Sequence, residues 1–237
     1  MNQIKYSHTI KTHNTRAAFE ILPFVFDLIK PKSVIDVGCG NGSWLKAALE
    51  LGADDIQGVD GIKVENDQLN IPENNFLQHD LTKSLQLNKK FDLAISLEVA
   101  EHLPESAANI IVETLTNHSD CILFSAAVPG QGGQYHINEQ WPEYWHQKFK
   151  SKDYLAYDVL RNEFWNNEKI FWWYKQNIIL YAKKGVFKDS ELQSSEIVNA
   201  IVHPELYRKK ITHPKYITNR KVLLKLAFKC LKLALKR

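Results

Sequence analysis

The glycine-rich segment after the first apolar strand limits the fold of this chain more than any other feature. Residues 33–37 (SVIDV) have the pattern of a short buried strand, and the chain then runs through Gly38, Gly40 and Gly42 into a helical pattern. Glycines at such a turn let the backbone bend tightly and approach a ligand closely. A dinucleotide fingerprint would need glycine or alanine at position 43, where Ser43 stands. The turn therefore predicts a ligand site that lacks the complete pyrophosphate-binding pattern.

Strand and helix patterns alternate at short intervals along the chain. Apolar residues at helical spacing over 15–29, with Pro23 as an interruption, precede the first strand. Further strands are predicted at 55–59, 75–78, 91–97, 121–128, 155–158 and 177–182, and further helices at 44–51 and after Pro104 to about 117. This alternation predicts an α/β fold with a mostly parallel sheet and helices on both faces. We expect residues 1–185 to form one domain and residues 186–237 a C-terminal extension.

The composition of the 237 residues, with 44% hydrophobic and 24% charged, is ordinary for a soluble protein, and the cysteines described next predict a reducing cytoplasm. No signal-peptide pattern and no run of about 18 apolar residues occurs, and the three cysteines show neither disulfide nor zinc-type pairing. The net charge of +3 comes from residues 220–237, which carry seven basic side chains and no acid, so the rest of the chain stands at 3 − 7 = −4. An acidic body predicts no nucleic-acid partner.

The segment from Asp36 to Gly42 matches in full the D/E-x-G-x-G-x-G motif I, and it resembles class I S-adenosylmethionine-dependent methyltransferases. The resemblance implies a Rossmann-like fold with a mostly parallel seven-stranded sheet. It implies S-adenosyl-L-methionine as cofactor and S-adenosyl-L-homocysteine as product. In such enzymes the loop of Gly38, Gly40 and Gly42 embraces the methionine part of the cofactor, and Asp36 orients the loop and the ammonium side. The structural alternative is a glycine-rich turn without a ligand.

Two further acidic positions follow predicted strands. Asp60, before Gly61, ends the second strand, where an ionised carboxylate can accept hydrogen bonds from both ribose hydroxyls. Asp80 and Leu81 follow the third strand in a segment that resembles the adenine-contacting segment of the family, with Asp80 accepting from the exocyclic amine. The alternatives without a ligand are a solvated turn at Asp60 and an ordinary surface position at Asp80.

The segment after the fourth strand resembles the E-V-x-E-H segment of many class I methyltransferases. Residues 96–104 read SLEVAEHLP. The resemblance implies that Glu98 lies closest to the cofactor, near its sulfonium. Glu101 and His102 are candidates for catalysis, and a purely structural role in fixing the loop is the alternative for both.

A loop rich in glycine and polar residues follows the fifth strand, at the same edge of the predicted sheet. Its second half (QYHINEQWP, 134–142) suits a polar acceptor such as a sugar, held by hydrogen bonds and one aromatic face. Together with SLEVAEHLPE, the segment SAAVPGQGG-x-x-H-x-NEQWP resembles a bacterial methyltransferase group that is often associated with surface-polysaccharide genes. The resemblance covers residues 13 to 182 and implies the reaction more firmly than the acceptor.

A hydroxyl acceptor must lose a proton during methyl transfer, and neutral histidine has suitable basicity. His136 is the predicted base, with Glu139 or Glu101 orienting it. The alternative is a loop histidine that binds substrate without taking a proton. No H-x-x-x-H or D-x-D pair stands at a suitable place, so no metal is predicted.

The end of the chain predicts a basic amphipathic helix. Over residues 218–237, lysines spaced 4, 4, 3 and 4 apart form a stripe beside a broad apolar face. Such a helix can lie on an anionic membrane surface from the cytoplasmic side. The alternative is that its apolar face packs on the domain or on a second copy of the chain in a homodimer.

These patterns predict an S-adenosylmethionine-dependent methyltransferase that O-methylates a sugar or glycan precursor. Two alternatives remain open. The acceptor could instead be a nitrogen or carboxylate of a small metabolite, or the chain could be a non-catalytic nucleoside-binding module.

Overall fold

β1 (Ser33–Val37) lies in the middle of a seven-stranded sheet because both of its faces are apolar. Val34 packs into the core cluster on one face of the sheet and Ile35 into the cluster on the other, as the alternation of side chains along a strand requires. β1 pairs in parallel with β2 (Asp55–Asp60) on one side and with β4 (Leu93–Leu97) on the other. The glycine turn therefore leaves the sheet at its centre.

The computed structural model describes residues 15–212 and 220–234. Its other strands are β3 (Phe76–Gln78), β5 (Cys121–Ser125), β6 (Tyr154–Tyr157) and β7 (Ile179–Lys183). Its helices are α1 (Arg16–Ile29), α2 (Ser43–Glu50), α3 (Ala108–His118), α4 (Pro142–Lys150), α5 (Val159–Phe164), α6 (Trp172–Asn177), α7 (Pro204–Thr212) and α8 (Arg220–Ala234).

The strands lie in the order β3-β2-β1-β4-β5-β7-β6. The first five are parallel, and β7 runs antiparallel to both β5 and β6. This confirms the mostly parallel seven-stranded sheet and adds one antiparallel hairpin. The strand order reverses between β1 and β4, which is the place where open α/β sheets bind ligands.

Helices cover both faces, as predicted. α1 buries Ala17, Ile21 and Val25, four residues apart, against the same face as α2, while α3 and α4 supply apolar residues to the other face. The interruption expected at Pro23 is wrong, because α1 continues through it. Pro23 lies on the exposed side of the helix. Burial of the apolar face therefore outweighs the roughly 3 kcal/mol that a proline in a helix interior costs.

The chain divides into two compact units, one within Met1–Ile201 and one within Val202–Arg237. The first contains the sheet with α1 to α6, and the second contains α7 and α8. Compactness alone does not test the expected functional division at residue 185, which stays a prediction. In the described part of the chain, no helix is both long enough and apolar enough to cross a lipid bilayer.

Candidate active site

A cleft of about 770 Å³ opens at the carboxyl ends of β1, β2 and β4. Its walls come from the turn after β1, the end of β2, the segment after β4, the loop after β5, and α6. The cleft thus lies at the point where the strand order reverses. All of these elements belong to the first compact unit.

The turn after β1 requires glycine for reasons of backbone and packing. Gly38 has φ +90°, and a Cβ there would lie 2.3 Å from Cγ2 of Val99. Gly42 has φ +78°, and a Cβ there would lie 2.9 Å from Cγ1 of Ile71. Gly38 is among the described residues that line the cleft, whereas Gly40 and Gly42 are not. Motif I therefore builds the floor of the site through internal packing.

Asp60 lines the cleft and ties two of its walls together. Its Oδ2 accepts a hydrogen bond from the backbone N–H of Gly40 at 2.8 Å, and its Oδ1 accepts one from Ile62 at 2.8 Å. Gly61, the next residue, also lines the cleft.

Asp36 lies buried at the end of β1 and is not among the described residues that line the cleft. Burial raises the pKa of its carboxyl well above the usual range, and the charge of Asp60 raises it further. The structure brings both acids to the same end of the sheet, and the predicted role of Asp36 toward the cofactor ammonium stays a prediction.

Asp80 and Leu81 lie at the end of the cleft beside β3. The Asp80 carboxylate accepts hydrogen bonds from the hydroxyl of Thr82 at 2.6 Å and from its backbone N–H at 3.0 Å. These hydrogen bonds lower the pKa of Asp80. The carboxylate stays ionised and is held by its own turn.

Glu98 leaves β4 in a backbone conformation that is unusual for a residue with a side chain, with φ +56°. Its Oε2 accepts from the Gln131 amide at 2.8 Å and its Oε1 from the Asn177 amide at 3.0 Å. Burial raises the pKa of Glu98, although these amide donors act in the opposite direction. A strained backbone held by two side chains places this carboxyl in the cleft wall.

Glu101, His102 and His136 meet at one end of the cleft, each with one ligating atom within 4.8 Å of the others. The imidazole rings of His102 and His136 contact each other edge to face, with centroids 4.9 Å apart. Burial, followed by the neighbouring His136, lowers the pKa of His102 to about 4, so this ring is neutral at pH 7. Burial, followed by the charge of Glu98, raises the pKa of Glu101 well above its usual range.

Glu139 fixes the loop after β5 and orients His136. Its carboxylate accepts from the backbone N–H of Gly130 at 2.7 Å and of Gly132 at 2.6 Å. Its Oε1 also lies 2.9 Å from Nδ1 of His136. Gly133 leaves room for the ring, since a Cβ there would lie 2.1 Å from Nε2 of His136.

α6 contributes an aromatic wall that the sequence analysis did not identify as part of the site. Trp172, Trp173 and Tyr174 line the cleft, and Trp44 from α2 contacts Tyr174 with ring centroids 5.4 Å apart. The run of three aromatic residues was the available signal. The role of Asn177 could not be predicted from the sequence, because its amide donates a hydrogen bond to Glu98 from a distant part of the chain.

The structure therefore gathers most of the predicted site residues in one cleft. Those that line it are Gly38, Asp60, Gly61, Asp80, Leu81, Glu98, Glu101, His102 and His136. Asp36, Gly40, Gly42 and Glu139 support this lining from behind and do not line it. Contact with a cofactor or acceptor stays a prediction for every one of them.

Comparison with known proteins gives one family match. Residues 10–122 match the family model described as a methyltransferase domain. None of the curated proteins compared matches the sequence.

Solved structures share the fold at low sequence identity. Magnesium protoporphyrin IX methyltransferase (ChlM) from Synechocystis PCC 6803, with bound S-adenosylhomocysteine, is 20% identical with a TM-score of 0.53, over 73% of this chain and 85% of that one. The methyltransferase domain of bacterial CtHen1-C is 17% identical with a TM-score of 0.51, over 71% and 97%. The chain spans only 55% of DesVI from Streptomyces venezuelae, with 50% of its own length aligned, 17% identity and a TM-score of 0.41. The first two likenesses establish a shared fold, and the family match covers residues 10–122 of that fold.

Proposed function

We propose that this chain is an S-adenosylmethionine-dependent methyltransferase, and that it transfers the methyl group of S-adenosyl-L-methionine to a hydroxyl of a sugar or glycan precursor. The observation that carries the proposal is the continuity of the cleft. One volume of about 770 Å³ joins the glycine turn and Asp60 at one end to Glu101, His102 and His136 at the other. A donor and an acceptor can therefore meet within it in a fixed relative orientation.

The donor occupies the end formed by β1, β2 and β3. Asp60 accepts the ribose hydroxyls while its existing bonds to two backbone amides hold it in place. Asp80 and Leu81 border the adenine, and Gly38 lies along the methionine part. Glu98, held by two amides, is the carboxyl nearest the sulfonium, where a negative charge favours a cationic ligand.

The acceptor occupies the end beside the loop after β5. Its oxygen forms a bond to the methyl carbon while the S–CH₃ bond breaks, and the electron pair of that bond stays on sulfur. The sulfonium thereby becomes a neutral thioether, and the acceptor loses its hydroxyl proton. We assign this proton to His136, whose ring Glu139 orients through Nδ1. Glu101 and His102 border the same position and shape it.

A sugar fits the residues around this end of the cleft. Gln134 and Tyr135 offer polar groups at its rim, and the ring of Tyr135, which is 47% exposed, offers an aromatic face. The resemblance to the surface-polysaccharide group adds support. A nitrogen or carboxylate acceptor is the alternative, and it would depend less on His136 because it needs no base. A non-catalytic nucleoside-binding module is the alternative outside enzymes.

α8 suits attachment to an anionic membrane surface, where a lipid-linked glycan would be presented. Leu224, Phe228 and Leu231 recur at helical spacing and are 70%, 60% and 58% exposed. Lysines flank them, and the described helix contains no acidic residue. An exposed apolar stripe with flanking lysines is typical of helices that lie in the membrane interface. Packing against a second copy of the chain is the alternative.

The test is calorimetric titration of the full chain with S-adenosylhomocysteine, beside Asp60→Ala and the control Asp54→Ala. Asp54 is an exposed acid just before β2, paired only at 3.7 Å with Lys32, so its loss should leave binding unchanged. Loss of two hydrogen bonds to a charged group at Asp60 should weaken binding by at least about 100-fold, or about 3 kcal/mol.

Saturable binding that only Asp60→Ala loses supports the proposal. A search with radiolabelled S-adenosylmethionine among nucleotide-linked and lipid-linked sugars then tests the acceptor. A folded wild-type chain that binds no S-adenosylhomocysteine would contradict the enzyme hypothesis itself.

A further inference from the structure

The cluster of Glu101, His102 and His136 has the composition of a metal site. One carboxylate and two imidazoles lie with their ligating atoms within 4.8 Å of one another. The first two residues lie in the turn after β4, whereas His136 comes from the loop after β5. Two separate backbone segments therefore converge on one point at the edge of the cleft.

The carboxyl of Glu101 is the least satisfied polar group in this cluster. The residue is 0% exposed, and neither of its carboxyl oxygens has a hydrogen-bond partner among the described residues. A buried carboxyl without a partner is costly, and cores normally pair such groups or use them to bind a metal. The backbone of Glu101 is well fixed, since its carbonyl accepts from the N–H groups of Ile137 and Asn138 at 2.9 and 3.0 Å. The side chain is thus buried beside the carboxyl of Glu98 and the backbone of Ala127, and neither contact is a well-formed hydrogen bond.

The two histidines are oriented in the way that metal-binding histidines are. Nδ1 of His136 lies 2.9 Å from the carboxylate of Glu139, and Nδ1 of His102 lies 3.3 Å from the carbonyl oxygen of Tyr135. In proteins a metal-binding imidazole almost always donates its other N–H to a carboxylate or a backbone carbonyl, which fixes the ring and its tautomer. In the Nδ1-protonated tautomer, the Nε2 atom of His136 carries the lone pair that can bind a cation.

The charges around the cluster also favour a cation. The carboxylate of Glu139 lies 2.9 Å from Nδ1 of His136, and the charges of Glu98 and Glu139 both act on Glu101. Among the described residues that line the cleft, none is a lysine or an arginine. A divalent cation would supply the positive charge that this part of the cleft otherwise lacks.

We propose that Glu101, His102 and His136 bind a divalent cation of the first transition series, such as Mn²⁺, Co²⁺ or Zn²⁺. Imidazole ligands suit these ions, whereas Mg²⁺ and Ca²⁺ prefer sites made of oxygen atoms alone. Three ligands from the protein leave coordination positions open toward the cleft, which is the arrangement of a catalytic rather than a structural site.

The purpose of the cation rests on the proposed function. A bound cation can coordinate the acceptor hydroxyl and lower its pKa, so that the hydroxyl proton passes to water as the oxygen attacks the methyl carbon. With the cation bound, the Nε2 lone pair of His136 would hold the ion, so this role and the role of His136 as base under the proposed function are alternatives. Loss of activity in a His136 variant fits either role, so the decision requires a measurement of metal binding.

In the experiment, the metal-free full chain is titrated with Co²⁺ and the visible absorption of the bound ion is measured. Calorimetric titrations with Mn²⁺ and with Mg²⁺ are made on the same protein. The expected result is one Co²⁺ per chain, with absorption that indicates mixed nitrogen and oxygen ligands. Glu101→Gln and His136→Ala should each weaken binding by more than 100-fold. Glu139→Gln, which removes the carboxylate that orients His136 and fixes the loop after β5, should weaken it by 10- to 100-fold. The control Glu105→Gln removes an exposed carboxylate from the same segment and should leave the affinity unchanged.

Three results would overturn the proposal: no saturable Co²⁺ or Mn²⁺ binding, binding of Mg²⁺ alone, or Co²⁺ binding that survives both Glu101→Gln and His136→Ala. Circular dichroism of each variant establishes that it is folded. Titration of the same samples with S-adenosylhomocysteine separates the two hypotheses. If the chain binds metal but no S-adenosylhomocysteine, the metal site is supported and the methyltransferase function is contradicted. If it binds S-adenosylhomocysteine but no metal, only the metal site is contradicted.

Discussion

Replacing Gly38 with alanine tests why motif I needs its first glycine. The residue combines two obstacles to a side chain, a backbone with φ +90° and the closeness of Val99. The new Cβ would lie 2.3 Å from Cγ2 of Val99, whereas ordinary contact begins at 3.4 Å, so the two groups must separate by 3.4 − 2.3 = 1.1 Å. Valine cannot easily avoid the clash by rotating, because its branched Cβ strongly restricts χ1.

The expected loss in the free energy of unfolding is the sum of two effects. The left-handed backbone costs about 1–2 kcal/mol for a residue with a Cβ. Overpacking against Val99 adds about 1–3 kcal/mol. Gly38→Ala should therefore destabilise the protein by about 2–5 kcal/mol. Gly52→Ala is a matched control with φ +98° and no heavy atom within 4 Å of its Cβ, so it should lose only the backbone part.

The assay is urea unfolding of the two glycine variants, of Val99→Ala and of the double variant Gly38→Ala/Val99→Ala. Removing the valine methyl groups relieves the clash, so the double variant should be more stable than the sum of the single effects by about 1–3 kcal/mol. Additivity within about 0.5 kcal/mol would refute the packing argument. The packing argument would also be refuted if Gly52→Ala lost as much free energy of unfolding as Gly38→Ala.

Three other expectations follow from the site and the tail. Asp36→Asn should stabilise the ligand-free protein at neutral pH. Burial and Asp60 raise the pKa of Asp36, so the wild type loses stability as pH rises from about 4 toward that raised value. In urea unfolding, the difference in unfolding free energy between variant and wild type should be larger at pH 7 than at pH 4. Gly133→Ala, at a position without positive φ, should lose only the overpacking cost against the His136 ring, about 1–3 kcal/mol of unfolding free energy. Its Co²⁺ affinity should also fall, because the His136 ring must move by about 1 Å, and unchanged affinity would contradict the geometry. Phe228→Glu should reduce cosedimentation of the full chain with vesicles containing anionic lipid, and equal binding to neutral vesicles would contradict a role for the lysines.

Most of the fold could be predicted because its signals are local. The strand at Ser33–Val37 has the predicted bounds, and α1 begins and ends within one residue of its predicted range. α4 and α5 were missed because their apolar residues are few and mixed with charges, so only packing against the sheet defines them. Pro23 misled the prediction for the opposite reason, because a local signal was outweighed by burial of the helix face.

The sequence alone determined which chemistry-bearing residues would come to one edge of the sheet. A parallel α/β sheet brings the carboxyl ends of its strands together, so Asp60, Asp80 and Glu98 had to lie near the glycine turn once the strands were recognised. That inference needs only the period of the apolar pattern and the order of the strands.

Only the tertiary structure decided what surrounds each of these groups. Glu101 and His102 meet His136 because two loops converge, and short-range spacing cannot reveal such a meeting. This is why a search for closely spaced ligand pairs predicted no metal. The support of Glu98 by Asn177 likewise spans 79 residues of sequence. Periodicity reports which face of an element is buried, whereas the partner of a single polar side chain depends on how distant segments pack.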